Sequence, residues 1–293
     1  MTWSFDTVQV ALRAAADPTR LRLMHLCAVG EQTVSDLVAV LGQSQPRVSR
    51  HLKILCDAGL LERFRDGQYV YFRTPMRGAG HDLADQLLAL TDPGAPLLSG
   101  DQVALDRVLG AHEADAADPL LRRFNRLVLD IFLTHPVGDL LDIGVGNGAV
   151  LKLLAGRANS AYGVDIDPQS RREARRAVAR AALANCTVRP GNMYDLGFAE
   201  NSFDTVVLDS VLIGAKQPAR VLVEAQRVLR PGGNLLITEY AEIGEGGMAA
   251  DRLAEILARS RVRCGPIRRA TDATGRHLVA LAQTTTMERS ATA

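Results

Sequence analysis

The chain has almost no net charge. Thirty-four Lys and Arg stand against 33 Asp and Glu, a formal +1 over 293 residues. That balance excludes a whole-chain electrostatic case for nucleic acid, so any basic site must be local. Cysteine is scarce. Cys27, Cys56, Cys186 and Cys264 are scattered through apolar or helical context, which fits reduced thiols and not a disulfide framework. No apolar run is long enough to span a bilayer, and no signal-like segment opens the sequence. The expected setting is cytoplasmic, with no membrane partner. Aromatics make up only 4%, and Trp3 is the one tryptophan. Internal repeats are absent. What remains is an ordinary globular balance, 47% hydrophobic and 23% charged, at a length that suits two domains.

The most informative stretch that is present is Asp142-Ile143-Gly144-Val145-Gly146-Asn147-Gly148. It follows the apolar run Leu140, Leu141, Ile143, which reads as a buried strand, and precedes residues 149–158, which read as a helix. Glycine has no Cβ and tolerates unusual dihedrals, so this turn lets the backbone pass very near a ligand. The helix start would face that ligand with unpaired N–H groups. A nucleotide-like cofactor is the usual occupant. A dinucleotide turn is spaced G-x-G-x-x-G; here the spacing is D-x-G-x-G-x-G.

That turn resembles motif I of the class I S-adenosylmethionine methyltransferases, and the following pieces continue the family's order. Residues 161–167 read as a strand ending in acids. Asp165, beside Ile166, is placed to accept two hydrogen bonds from ribose hydroxyls, while Asp167-Pro168 reads as the start of a basic helix over 169–184. Gly191-Asn192-Met193 follows a short strand at 187–189. The resemblance implies that this position touches adenine, usually through Asp; Asn192 departs from that, but an amide oxygen still accepts from the adenine amino group. Residues 202–209 read as a buried strand with Asp209 at its carboxyl end. Leu229 to Gly233 reads as a turn before a strand at 234–239. The cofactor set implied is Asp142, Gly144, Gly146, Gly148, Asp165, Ile166, Asn192, Met193 and Asp209, and the cofactor is S-adenosylmethionine or S-adenosylhomocysteine.

The first hundred residues follow a different grammar. Residues 5–16, 18–29 and 33–41 read as three short helices. Thr33 with Asp36 makes a capping-box variant, and Gly42 ends the third helix. Ser44 is expected to cap a fourth helix at 45–58, with Pro46 tolerated in its first turn. Val48, Leu52 and Leu55 form one apolar stripe. Residues 60–65 and 68–73, around Asp66-Gly67, read as a β-hairpin. A helix-turn-helix followed by a hairpin is a winged helix. The segment from Ser44 to Leu55, the Ala58-Gly59-Leu60-Leu61 that follows, and Ala16-Asp17-Pro18-Thr19-Arg20-Leu21-Arg22 resemble the ArsR family of bacterial repressors.

Local charge agrees with that resemblance. Between Gln45 and Arg77, Lys/Arg stand at 47, 50, 53, 63, 65, 73 and 77 against acids at 57, 62 and 66. Between Met1 and Ser44, Lys/Arg at 13, 20 and 22 face acids at 6, 17, 31 and 36. Basic charge therefore gathers where phosphates would lie. A major-groove helix reads base edges with its N-terminal residues. Gln45, Arg47, Ser49 and Arg50, next to Ser44, are best placed for that. His51 and Lys53 serve phosphate or base, and Arg63, Arg65 and Arg73 on the wing would contact phosphate or minor groove. The implied partner is a double-stranded DNA operator with an inverted repeat, bound by a homodimer. Many family members sense metals through a thiolate pair, but Val34 and Ser35 occupy the matching positions here. His81 has no second histidine at useful spacing, so no metal is expected.

The strongest linker signal is Thr91-Asp92-Pro93-Gly94-Ala95-Pro96, extending to Ser99-Gly100. The expected organisation is a winged-helix domain over 1–92, a linker and connecting helix over 93–118, an α/β Rossmann-like methyltransferase-type domain over 119–285, and a disordered tail at 286–293. Residues 81–90, 101–117 and 119–133 read as helices, and 262–270 with 277–282 as a final reversed hairpin. The catalytic half departs from its relatives. The segment from Asp209 to Pro218 holds no histidine, no nucleic-acid base-methyltransferase motif is present, and aromatics before motif I are few. No acceptor pocket can be assembled, so catalytic residues are unknown and Asp209, which reads equally as a helix cap, is a weak candidate. Two readings follow. The leading one is a transcriptional regulator whose methyltransferase-like domain senses S-adenosylmethionine or S-adenosylhomocysteine. The alternative is a working small-molecule methyltransferase with an autoregulatory DNA-binding domain.

Overall fold

A computed structural model of the chain describes residues 4–66, 69–92, 94–109, 119–242, 246–259, 264–271 and 275–283. The predicted disordered tail lies outside them. The chain divides into two compact units, one of residues 1–112 with 175–184 and one of residues 113–174 with 185–293.

The first unit begins with α1 (Phe5–Ala15), α2 (Pro18–Ala28), β1 (Gln32–Thr33), α3 (Val34–Leu41) and α4 (Gln45–Asp57). It continues with β2 (Glu62–Asp66), β3 (Tyr69–Arg73), α5 (Ala79–Ala89) and α6 (Pro96–Leu109). The capping box predicted at α3 is present: Thr33 Oγ1 accepts from Asp36 N at 3.2 Å, and Asp36 accepts from Thr33 N at 3.1 Å. Gly42 closes the helix in the left-handed region, φ 62°. Ser44 differs from expectation. It has extended N-cap dihedrals, but its side chain makes no capping bond. Leu23, Met24, Leu37, Leu52, Leu55 and Leu60 are fully buried and form the core, so the apolar stripe of α4 faces inward as its period requires. The predicted hairpin forms, with Asp66 opposite Tyr69. Sequence reading missed β1, which pairs with β3 through Gln32↔Phe72 and Thr33↔Tyr71; two residues carry no readable period.

Helix α6 starts earlier than predicted, at Pro96, so Ser99-Gly100 is helical and not linker. Proline is at home in a first helical turn. Arg22 donates Nε to Asp101 Oδ2 at 2.6 Å and Nη2 to Oδ1 at 2.5 Å, a bidentate pair that anchors α6 to α2. Leu105 and Leu109 are buried beside it.

The second unit contains α7 (Pro119–Ile131), β4 (Gly138–Ile143), α8 (Ala149–Ala155), β5 (Ala158–Asp165) and the first part of α9 (Pro168–Arg180). Then follow β6 (Cys186–Pro190), β7 (Phe203–Asp209), α10 (Pro218–Val228), β8 (Leu229–Glu242), α11 (Gly246–Arg259), β9 (Arg268–Thr271) and β10 (Gly275–Gln283). One seven-stranded sheet has the order β6-β5-β4-β7-β8-β10-β9. The first five strands are parallel, and β10 runs antiparallel to both neighbours. This is the predicted Rossmann-like α/β fold with its final reversed hairpin. Leu140, Leu141 and Ile143 of β4 and Val206, Val207 and Leu208 of β7 are all fully buried. Such continuous apolar runs belong to central parallel strands covered on both faces.

Two boundaries move. Helix α8 stops at Ala155, short of the predicted 158, because Ala158 already opens β5. The predicted turn at Leu229 to Gly233 is absorbed into β8, with a register shift against β7 between Phe203 and Thr205.

The amino ends of the four strands β5, β4, β7 and β8 are tied by one polar network. Arg230 donates to Asp204 Oδ2 at 2.5 Å and to Asp139 Oδ2 at 3.0 Å. Ser160 Oγ donates to Asp139 Oδ1 at 2.7 Å, and Asp139 N donates to Asp204 Oδ2 at 2.8 Å.

Candidate functional site

Two constellations emerge, one in each unit. On α4 the outward positions are Gln45, Arg47, Ser49, Arg50 and Lys53, all exposed, opposite the buried Val48, Leu52 and Leu55. Arg47, Arg50 and Lys53 are three apart in sequence, so they line one strip of the helix. Lys53 Nζ lies 2.6 Å from Asp57 Oδ2, an exposed pair of little energetic weight. Ser44 is exposed at the helix start. His51 is mostly covered, with Nδ1 3.8 Å from Asp17 Oδ1 and without a hydrogen-bond partner; the structure brings it to the start of α2 and not to the outward strip. On the wing, Arg63 and Arg65 of β2 are exposed. Arg73 corrects the sequence reading. It is 8% exposed and forms ion pairs with Glu62 at 2.8 Å and Glu31 at 3.3 Å. Its guanidinium is committed inside the fold and not presented to a phosphate.

In the second unit, strand order explains why the predicted cofactor residues meet. Strand β4 lies between β5 and β7, and the register sets Asp142 opposite Gly163 and Val207. Asp165 and Asp209 stand two residues further along those neighbours. Side chains two apart share a sheet face, so Asp142, Asp165 and Asp209 point to the same side at the carboxyl edge. Ligands of open α/β sheets bind at that edge, where strand order reverses.

The turn after β4 is built from backbone. Gly144 N and Val145 N donate to Val164 O at 2.8 and 3.0 Å. Gly146 lies at φ 52°, and a Cβ there would meet nothing nearer than Gly144 O at 3.9 Å. Its free side is open space, as a close backbone approach to a ligand requires. Gly146 N donates to Asp165 Oδ2 at 3.0 Å, joining the loop to the strand that bears the predicted ribose acceptor. Asp165 Oδ1 accepts from Asp167 N at 2.9 Å. Asp167 takes the helix-start role assigned to it: its Oδ2 accepts from Ser170 N at 2.7 Å and from Ser170 Oγ at 2.9 Å, and these bonds hold its carboxyl below the ordinary range. Ile166 is 75% exposed, and Asn192 Oδ1 accepts from Tyr194 N at 3.0 Å in a local turn, with Met193 half-buried beside it.

Asp142 is 1% exposed, and its Oδ1 has no hydrogen-bond partner among the described residues. Burial, reinforced by the negative charges of Asp209 and Asp165, pushes this carboxyl well above the ordinary range. Asp209 is not a helix cap. Its Oδ1 accepts from Thr238 Oγ1 at 2.5 Å and from Ser210 Oγ at 3.3 Å. The capping duty falls to Glu239, which sequence reading missed. Its buried Oε1 accepts from Leu212 N at 2.8 Å and Ile213 N at 3.1 Å, and burial raises its carboxyl. Its sequence signal was an acid inside an otherwise apolar strand, a position that demands a partner. The turn it holds begins at Ser210, which adopts φ 56°, the left-handed region.

Residues 141–237 match the family described as methyltransferase domain, and residues 17–63 match the family described as bacterial regulatory protein, arsR family. The chain joins an ArsR-family regulatory domain to a class I methyltransferase domain. The regulatory part is 44% identical over 68 residues to an arsenic resistance transcriptional regulator of Pseudomonas putida, covering 23% of this chain and 53% of that protein. The methyltransferase part is 35% identical over 141 residues to nocamycin O-methyltransferase of Saccharothrix syringae, covering 46% of this chain and 49% of that enzyme. The chain thus spans about half the length of these curated relatives. A SAM-dependent methyltransferase from Aquifex aeolicus of known structure superimposes with a TM-score of 0.47 at 20% identity, covering 57% of this chain and 94% of that one. No helix among the described residues is long and apolar enough to cross a membrane.

Proposed function

We propose that this ArsR–methyltransferase fusion is a DNA-binding transcriptional regulator whose second domain binds S-adenosylmethionine or S-adenosylhomocysteine as a ligand. The observation that carries the reading is the exposed Arg47–Arg50–Lys53 strip of α4, within the ArsR-matched segment, in the same chain as a glycine loop hydrogen-bonded to Asp165. Gln45, Arg47, Ser49 and Arg50 read base edges. Lys53, Arg63 and Arg65 hold phosphates. Two copies bind an inverted repeat about a two-fold axis; Phe5 and Leu90, 80% and 82% exposed on α1 and just past α5, support that pairing. A ligand with different affinity for the DNA-competent and DNA-incompetent populations shifts their balance.

Sensing is favoured over turnover by the segment after β7. Its turn supplies Ser210, Val211, Leu212 and Ile213 with no imidazole, and the Asp209 carboxylate is already engaged by Thr238. The deciding measurement is a titration of a duplex from the protein's own promoter, with and without each ligand. The expected result is a specific complex whose affinity changes with ligand. Catalytic transfer of label from S-adenosylmethionine to any cell-extract fraction, lost in Asp209→Asn, would move the assignment to the enzyme. Arg50→Ala should weaken the specific complex by roughly 1–3 kcal/mol and leave random duplex nearly unaffected. Equal loss on both duplexes would reduce Arg50 to a phosphate contact.

A further inference from the structure

The chain passes from the second compact unit into the first inside one helix. Residues of α9 up to 174 belong to the second unit, and residues 175–184 belong to the first. The early part of the helix serves the glycine loop and the strand beside it. Arg171 Nη1 donates to Asp165 O and Ile166 O, both at 2.9 Å, and a Cβ on Gly148 would meet Ala174 Cα at 3.1 Å. The later part is built into the winged-helix core. Ala179 is fully buried there, and a Cβ on Gly30 would meet its Cα at 2.9 Å. Arg175, 3% exposed, donates Nε to Glu31 Oε2 at 2.7 Å and pairs through Nη1 with Asp66 Oδ2 at 2.6 Å. Its guanidinium also lies over the Tyr71 ring, 4.2 Å from the centroid.

Asp66 is the last residue of β2. Strand alternation turns Phe64 and Asp66 inward and leaves Arg63 and Arg65 exposed. Arg175 therefore holds the inner face of the wing strand whose outer face carries two proposed phosphate contacts. Losing one partner of a buried ion pair leaves the other charge uncompensated, so Asp66 keeps its place only while Arg175 keeps its own. Arg171 and Arg175 stand one helical turn apart, on one side of a stiff element. We propose that Arg175 is the positioning residue of the wing, and that α9 couples a ligand at the Asp165 strand to wing posture. The coupling rests on the sensor reading above. A ligand that displaces the start of α9 moves Arg63 and Arg65 relative to α4 and changes DNA affinity without touching a base contact.

The test uses the full-length protein, a duplex from its own promoter, and S-adenosylmethionine and S-adenosylhomocysteine as separate probes. Calorimetry gives each ligand Kd, and fluorescence anisotropy gives the DNA Kd with and without ligand over a range of salt. The wild type should change its DNA Kd by at least about fivefold with one of the two ligands. Asp66→Asn and Arg175→Lys keep a polar partner in place but lose the charge or the fork. Each should lose the ligand response with the ligand Kd unchanged. Their ligand-free complexes should also lose about one to two units of slope in log Kd against log salt, the share of Arg63 and Arg65. An unchanged slope in both overturns the positioning role. Glu173→Gly spares both sets of contacts, since Glu173 is exposed and glycine only softens the helix between Arg171 and Arg175. It should keep both Kd values and lose the response, while Glu173→Ala, which keeps the helix stiff, retains it; this pair decides if the buried variants fold poorly. A ligand response that persists in Glu173→Gly, or is lost equally in Glu173→Ala, overturns the coupling and leaves the sensor reading standing. A wild type that binds ligand and DNA with no effect of one on the other removes the sensor reading and the coupling together.

Discussion

The two ends of the same central strands use aspartate in opposite ways. At the amino end, Asp139 and Asp204 close around Arg230, with Ser160 completing the set across β5, β4, β7 and β8. At the carboxyl end, Asp142, Asp165 and Asp209 lie on one face, and burial and like charge act on Asp142 together. Residue type and strand are shared; what differs is the arginine. With it, carboxylates hold a sheet together. Without it, they store a demand for positive charge that a ligand can meet.

Variants can break that contrast from either end. The largest effect is expected from Gly146→Val, which places a branched side chain in the open space beside the loop at φ 52°. Binding of S-adenosylmethionine should vanish in calorimetry while circular dichroism shows a folded protein; retained affinity would make the loop purely structural. Asp165→Ala follows. It removes the carboxylate proposed to accept from ribose and the partner of Gly146 N, at about 1.5–3 kcal/mol per charge-assisted bond, read as a weaker Kd. Arg230→Ala should behave in the reverse manner, losing about 1.5 kcal/mol in urea unfolding with the cofactor Kd unchanged. A parallel loss of binding would show that the two ends are not independent.

The smallest effect concerns pH. Because the folded-state pKa of Asp142 is raised, the wild type loses stability as pH climbs from the ordinary carboxyl range through that raised value. Asp142→Asn is free of this loss. Its thermal midpoint should therefore exceed that of the wild type at pH 8, and the gap should close toward pH 4. A gap that widens on acidification would contradict the burial of a titrating carboxyl.

Much of this was legible in the sequence. The glycine turn, the helix-start role of Asp167 and the α3 capping box are local patterns, and each folds as its own chemistry dictates. What escaped is non-local. Arg73 sits in a basic stretch, and nothing adjacent in sequence announces that Glu31, 42 residues earlier, reaches it. Glu239 lies 27 residues from the amides it caps. The pair that anchors α6 joins Arg22 to Asp101, 79 residues later. Ser44 failed in a different way: its backbone takes the N-cap dihedrals that propensity predicts, but the side chain makes no bond.

The turn at Ser210 has a consequence for how this corner tolerates change. A serine at φ 56° occupies a conformation that glycine or asparagine would hold at less cost. It stays there because its own N–H donates to Thr238 O at 2.8 Å and Glu239 grips the amides of Leu212 and Ile213 just beyond it. Ser210 and Glu239 are therefore epistatic. Glycine at the first would relax the need for the second, while loss of the second leaves the first without restraint. Tolerance belongs to the pair, and neither position can be ranked for importance alone.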